Sequence, residues 1–146
     1  MKKSRRNILA AAVAAGGLAP AAAAQGASQK KVIFRGERPA NPLFPSATVF
    51  GNMVYLSGHG VNDVEGIKAQ TRKLLDEIEK ILEMAGSSMQ KVLKCNVYLA
   101  DIRDYAEMNE VYRGRFGADP PARTTLSIAN IPLKGCLVEI ECIAYI

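Results

Sequence analysis

Residues 62–99 read NDVEGIKAQTRKLLDEIEKILEMAGSSMQKVLKCNVYL, and their hydrophobic period changes once. From Ile67 through Leu74, Leu75, Ile78, Ile81, Leu82 and Ala85 the apolar side chains recur at helical spacing, and Gly86 ends the run. Asn62 with Glu65 three positions later has the form of a capping box. The spacing therefore predicts an amphipathic helix of about six turns. Beyond Gly86 the period drops to two. Leu93, Cys95, Val97 and Leu99 alternate with Lys94, Asn96 and Tyr98, the pattern of a strand with one buried face.

Before the helix, Thr48-Val49-Phe50, the pair Gly51-Asn52 and Met53 to Ser57 read as a hairpin around a tight turn. Gly58-His59-Gly60 ends its second strand. Val32-Ile33-Phe34 is a short strand, and residues 41–46, with two prolines, are a loop. After the half-buried strand, Asp104 with Glu107 signals a second, shorter helix through Tyr105, Met108, Val111 and Tyr112 to Gly117. Pro120-Pro121 forbids its continuation. Ala122 to Ile128 and Leu137 to Ile146 are β-prone. The order β-β-β-α-β-α-β-β is an α+β layout over residues 32–146, with two helices packed on one sheet face.

Of the 146 residues, 49% are hydrophobic and 23% charged, which excludes a disordered or fibrous chain. Lys2, Lys3, Arg5 and Arg6 carry four of the five net positive charges, so the rest is nearly neutral and has no electrostatic footprint for nucleic acid. The opening MKKSRRNILAAAVAAGGLAPAAAAQG has a basic start, an Ala-rich middle and small residues before Gln25. Residues 1–24 are expected to be an export signal, similar to the twin-arginine type, directing the protein to the periplasm. The stretch is too short, too weakly apolar and too interrupted for a membrane span. Residues 25–31 are a polar linker. Cys95, Cys136 and Cys142 are odd in number and form no CxxC, and His59 has no Cys or His near it at metal-ligand spacing.

Three places join polar chemistry to a strand. Arg123, Thr125 and Ser127 share one face of their strand, opposite Ala122, Thr124, Leu126 and Ile128. Glu139 and Glu141 point to one side of the last strand, with Val138, Ile140, Cys142 and Ala144 on the other. Leu56-Ser57-Gly58-His59-Gly60 ends a strand with glycines that permit close backbone approach. Each has a plain structural reading too: a solvated strand arginine, acids that discourage edge pairing, a turn histidine. Periodicity alone stops at an α+β domain with an anion site.

The ordered set Gly51-Asn52-Met53…Leu56-Ser57-Gly58, Ala69-Gln70-Thr71-Arg72, Glu83-Met84-Ala85-Gly86, Asp101…Met108-Asn109-Glu110-Val111-Tyr112, Pro121-Ala122-Arg123 and Val138-Glu139-Ile140-Glu141 resembles the RidA/YjgF family of imine deaminases. The resemblance implies a chorismate-mutase-like fold and a homotrimer with a barrel-like centre and ligand clefts between subunits. It also implies cofactor-free hydrolysis of short 2-imino acids to 2-keto acids and ammonia. By position, Arg123 matches the arginine that holds the substrate carboxylate, Glu139 the acid that orients the water, and Ser57 and Asn109 pocket positions. Glu141 is structural in this reading. Three positions depart from the family pattern: Phe44 stands in place of a pocket tyrosine, Thr125 in place of a common cysteine, and His59 in place of a glutamine. The alternative is a non-catalytic periplasmic carboxylate-binding protein on the same scaffold.

Overall fold

The computed structural model of the chain describes residues 29–146. The expected export signal, residues 1–24, and most of the expected linker lie outside the described residues. Lys31, at the linker's end, already belongs to the first strand. The elements are β1 (Lys31–Ile33), β2 (Ala47–Phe50), β3 (Met53–Leu56), β4 (His59–Gly60), α1 (Ile67–Met84), β5 (Val92–Leu99), α2 (Tyr105–Tyr112), β6 (Ala122–Ser127) and β7 (Val138–Tyr145). One mixed sheet runs β1-β2-β3-β7-β5-β6, with β4 also paired to β7. All pairs are antiparallel except β5 with β6, which are parallel and joined through α2. Among the described residues no helix is long and apolar enough to cross a membrane.

The alternation of β7 decides which sheet face is inside. Val138, Ile140, Cys142 and Ala144 are buried, while Glu139, Glu141 and Ile143 are only partly so and Tyr145 is exposed. α1 lies against β7 and β4 and beside α2. It buries Leu74, Leu75, Ile78, Ile81 and Leu82 completely, each worth about 1.5–3 kcal/mol in removed apolar surface. The α+β class with both helices over one face is as the sequence indicates. The opposite face carries exposed Phe50, Tyr55, Leu126 and Tyr145.

Four local expectations are corrected. α1 has 18 residues and starts at Ile67 behind Gly66, whose φ of 79° suits glycine alone. Asn62 does not cap it; its side-chain amide donates to the Lys134 carbonyl at 3.0 Å, a partner far away in sequence. Asp104 is helical and caps nothing with its side chain, whereas Asp101 accepts from the Arg103 N–H and caps a 3₁₀ turn over Ile102–Asp104. α2 stops at Tyr112, five residues short of Gly117, where the chain turns through Gly114 at φ 79°. In β5 a bulge between Val92 and Lys94 puts Val92 in the core and leaves Leu93 48% exposed, so the alternation starts one residue off.

Candidate functional site

Arg123 lies on β6, the edge strand, opposite Cys95 of β5 and therefore on the helix-covered face. α2 supplies its setting. Tyr105, Asn109 and Tyr112 recur at i, i+4 and i+7, one stripe of the helix. The Arg123 guanidinium sits 4.6 Å from the centre of the Tyr112 ring and 5.7 Å from that of Tyr105, and its Nη2 donates to the Tyr105 hydroxyl at 3.2 Å. Two ring contacts of this kind contribute about 0.5–2 kcal/mol each and fix the plane of the fork. Among the described residues Arg123 has no carboxylate partner. It opens onto a cavity of about 640 Å³ lined by Asn109, Tyr112, Phe116 and Pro121. It also borders a smaller one, about 420 Å³, shared with Ile102, Tyr105 and Thr125. The Thr125 hydroxyl is buried there without a partner among the described residues. Burial, with Cys95 beside it, pushes the Tyr112 hydroxyl far above its ordinary pKa, so this ring stays neutral under the cation.

Glu139 lies elsewhere. It is opposite Tyr98 on β5, on the face away from the helices, and lines a cavity of about 480 Å³ with Phe44, Ser57, Gly58, His59, Pro132 and Leu133. Gly58 is where the carboxylate rests: a Cβ there would come within 2.3 Å of Glu139 Oε1. Ser57 donates to the Pro45 carbonyl at 2.7 Å, which ties down the loop that presents Phe44, itself 65% exposed. Glu141 is held as a structural acid, its Oε1 accepting from Asn96 Nδ2 at 2.7 Å and from the Tyr98 hydroxyl at 3.0 Å.

His59 borders the Glu139 cavity, but its ring is committed elsewhere. A one-residue shift between β3 and β4 pairs it with Ile140, on the helix side. Its Nε2 lies 3.0 Å from the Ser46 carbonyl, and a carbonyl only accepts, so Nε2 carries the hydrogen and Nδ1 is the free acceptor. Burial, outweighing the Ser46 bond, lowers its pKa below the usual value near 6.5. In the unfolded chain the imidazole takes a proton first as pH falls, so stability drops on acidification below about pH 6.5. Denaturation midpoints at about pH 7.5 and 5.5 should therefore converge in His59→Gln relative to the parent; an equal pH dependence in both would contradict this.

The sequence-derived residues thus form two groups. Arg123, Asn109 and Thr125 gather on one face at the sheet edge; Phe44, Ser57, His59 and Glu139 gather at the other cavity, and no residue lines both. Sequence reasoning placed Tyr105 and Tyr112 in a helix and missed their contact with Arg123. Their spacing, seven residues apart beside Asn109, was the available signal.

Fold and site together define an α+β protein with an aromatic-stacked arginine, without an acid partner among the described residues, at a sheet edge. The family described as Endoribonuclease L-PSP matches residues 36–146, and the chain belongs to it. A RutC family protein of Pyrococcus horikoshii is 43% identical over 125 residues, 80% of this chain and 98% of that one. Reactive Intermediate Deaminase A of Arabidopsis thaliana, chloroplastic, is 35% identical over 126 residues, 80% of this chain and 67% of that one. The crystal structure of RidA from an Antarctic Psychrobacter superposes with a TM-score of 0.68 at 39% identity, covering 74% of this chain and 92% of that one. The RidA/YjgF resemblance and the fold it implies hold.

Proposed function

We propose that the protein is an imine deaminase that hydrolyses short 2-imino acids to 2-keto acids and ammonia. The observation that carries this reading is Arg123: a planar cation clamped by two tyrosines, open to a cavity and without an acid partner among the described residues, matches a carboxylate bidentately. A relative named Reactive Intermediate Deaminase A supports the reaction class. The family description names an endoribonuclease, but Lys2, Lys3, Arg5 and Arg6 carry four of the five net positive charges and the rest of the chain is nearly neutral. A nearly neutral domain is a poor match to a phosphate backbone.

Arg123 and Glu139 lie on opposite sheet faces, so one chain cannot bring them to one substrate. The reading therefore requires assembly: a homotrimer in which Arg123, Asn109 and Thr125 of one copy meet Phe44, Ser57 and Glu139 of the next. The exposed Phe50, Tyr55, Leu126 and Tyr145 supply an apolar face for such closure. In the joined cleft Arg123 holds the carboxylate and Glu139 orients a water on the imine carbon. The water adds, its proton passes to nitrogen, and ammonia leaves as the ketone forms. The imine carbon is already electrophilic, so placement supplies much of the rate without a cofactor.

Two observations favour a second reading, a carboxylate-binding protein without turnover: Phe44 has no hydroxyl, and the His59 ring is engaged by Ser46. One assay separates them. An amino-acid oxidase generates imine in situ and semicarbazide traps what is not hydrolysed. Loss of trapped product on adding micromolar protein is expected; an unchanged yield favours the binder. The periplasmic address proposed for residues 1–24 is read by N-terminal sequencing of the exported chain, which should begin near Gln25.

A further inference from the structure

The buried thiols have no part in this reaction, and two of them are paired. Cys95 and Cys142 stand directly opposite each other on β5 and β7, both essentially inaccessible, with their sulfurs 3.2 Å apart. Arg123 stands opposite Cys95 on its other side, so Arg123, Cys95 and Cys142 form one row across three strands. Cys136 is outside that row, its thiol donating to the Val138 carbonyl at 3.1 Å.

We propose that Cys95 and Cys142 are a redox-active pair that closes to a reversible cross-strand disulfide in the presence of a hydroperoxide. The geometry permits it. Directly opposed antiparallel residues have Cα atoms about 4.5–5.5 Å apart, within the range a disulfide spans. The sulfurs need approach by only about 1 Å to reach bonding distance. The two thiols are also unequal. The Cys142 thiol, aided by the Tyr112 hydroxyl and the charges of Arg123 and Lys94, draws the Cys95 pKa below the usual thiol value despite burial. The same contact and burial push Cys142 well above it. Cys95, next to the edge strand and opposite Arg123, is also the thiol an oxidant entering at that edge meets first, and so the nucleophile.

The chemistry balances with the peroxide as oxidant. The Cys95 thiolate attacks one peroxide oxygen, the O–O bond breaks, and the leaving oxygen is protonated to water (to an alcohol for an organic peroxide). The Cys142 sulfur then attacks the Cys95 sulfenic sulfur. The S–O bond breaks and hydroxide departs with the Cys142 proton as a second water. Two thiols lose two electrons in all, and the peroxide gains them. Access is through the sheet edge: Cys95 lies one strand in from β6, and local opening there admits a small oxidant.

The test exposes the native full chain to hydrogen peroxide, then denatures it and counts thiols with a maleimide. Free thiols should fall from the three of the sequence to one, with a mass about two units lower. Peptide mapping should join the Cys95 and Cys142 peptides, and dithiothreitol should separate them. Cys136→Ser should keep the link. Cys142→Ser should lose it and add oxygen at Cys95. Three thiols surviving peroxide, a linkage through Cys136, or Cys95 over-oxidised while Cys142 stays free in the parent would each overturn the proposal.

Discussion

Arg123→Ala should lose about 10²- to 10³-fold in kcat/KM on a 2-imino acid, the loss of roughly 3–4 kcal/mol from one charge-assisted clamp. The effect is this large because nothing nearby replaces the guanidinium: Tyr105 and Tyr112 orient it and carry no charge themselves. Arg123→Lys should recover little. An ammonium cannot offer two parallel N–H donors, and it stacks less well on the rings. Both variants should fold, because Arg123 is only half-buried on an edge strand. Steady-state kinetics with a thermal melt reads the result. Near-parent turnover in either variant would remove Arg123 from the site.

Glu139→Gln should cut kcat by about 10²-fold with KM little changed, since a water-orienting group acts mainly on the chemical step. Gly58 gives a second, independent reading of the same carboxylate. A Cβ at Gly58 would lie 2.3 Å from Glu139 Oε1 and 3.0 Å from its Cδ, so the carboxylate must move. That displaced group is the end of a flexible side chain, so Gly58→Ala should fold and yet approach the turnover of Glu139→Gln. The double variant should lose no more than Glu139→Gln alone, because both changes remove one function. Full additivity would mean that Gly58 acts through something else. Glu141→Gln is the control. Its partners Asn96 and Tyr98 lie within the same chain, and turnover should change little.

The fold was legible where periodicity is strong. The stripe from Ile67 to Leu82 and the alternation of Val138 to Ala144 each name their buried face, and together they orient the helices on the sheet. Local signals failed where tertiary partners outbid them. Asn62 had the spacing of a cap but found the Lys134 carbonyl instead, and Leu93 was moved outward by a bulge no pattern announces. The candidate site residues came as a set from family resemblance. Its division was not, because which face Arg123 takes depends on its pairing with Cys95, and strand partners are not written in the local sequence. The Cys95 and Cys142 contact was hidden for the same reason: 47 residues separate two thiols that only the β5–β7 register brings together.

The central claim is that Arg123 of one copy and Glu139 of another make one site, and mixing two inactive variants tests it most directly. Arg123→Ala and Glu139→Gln chains are co-expressed in equal amounts with different tags, and assemblies carrying both are purified and assayed. In a cyclic trimer that carries both chains, one of the three shared clefts joins an intact arginine to an intact glutamate. The account therefore predicts recovery of about a third of parent turnover per site, far above either variant alone. Activity that stays at the level of the single variants, in assemblies shown to contain both chains, would contradict it.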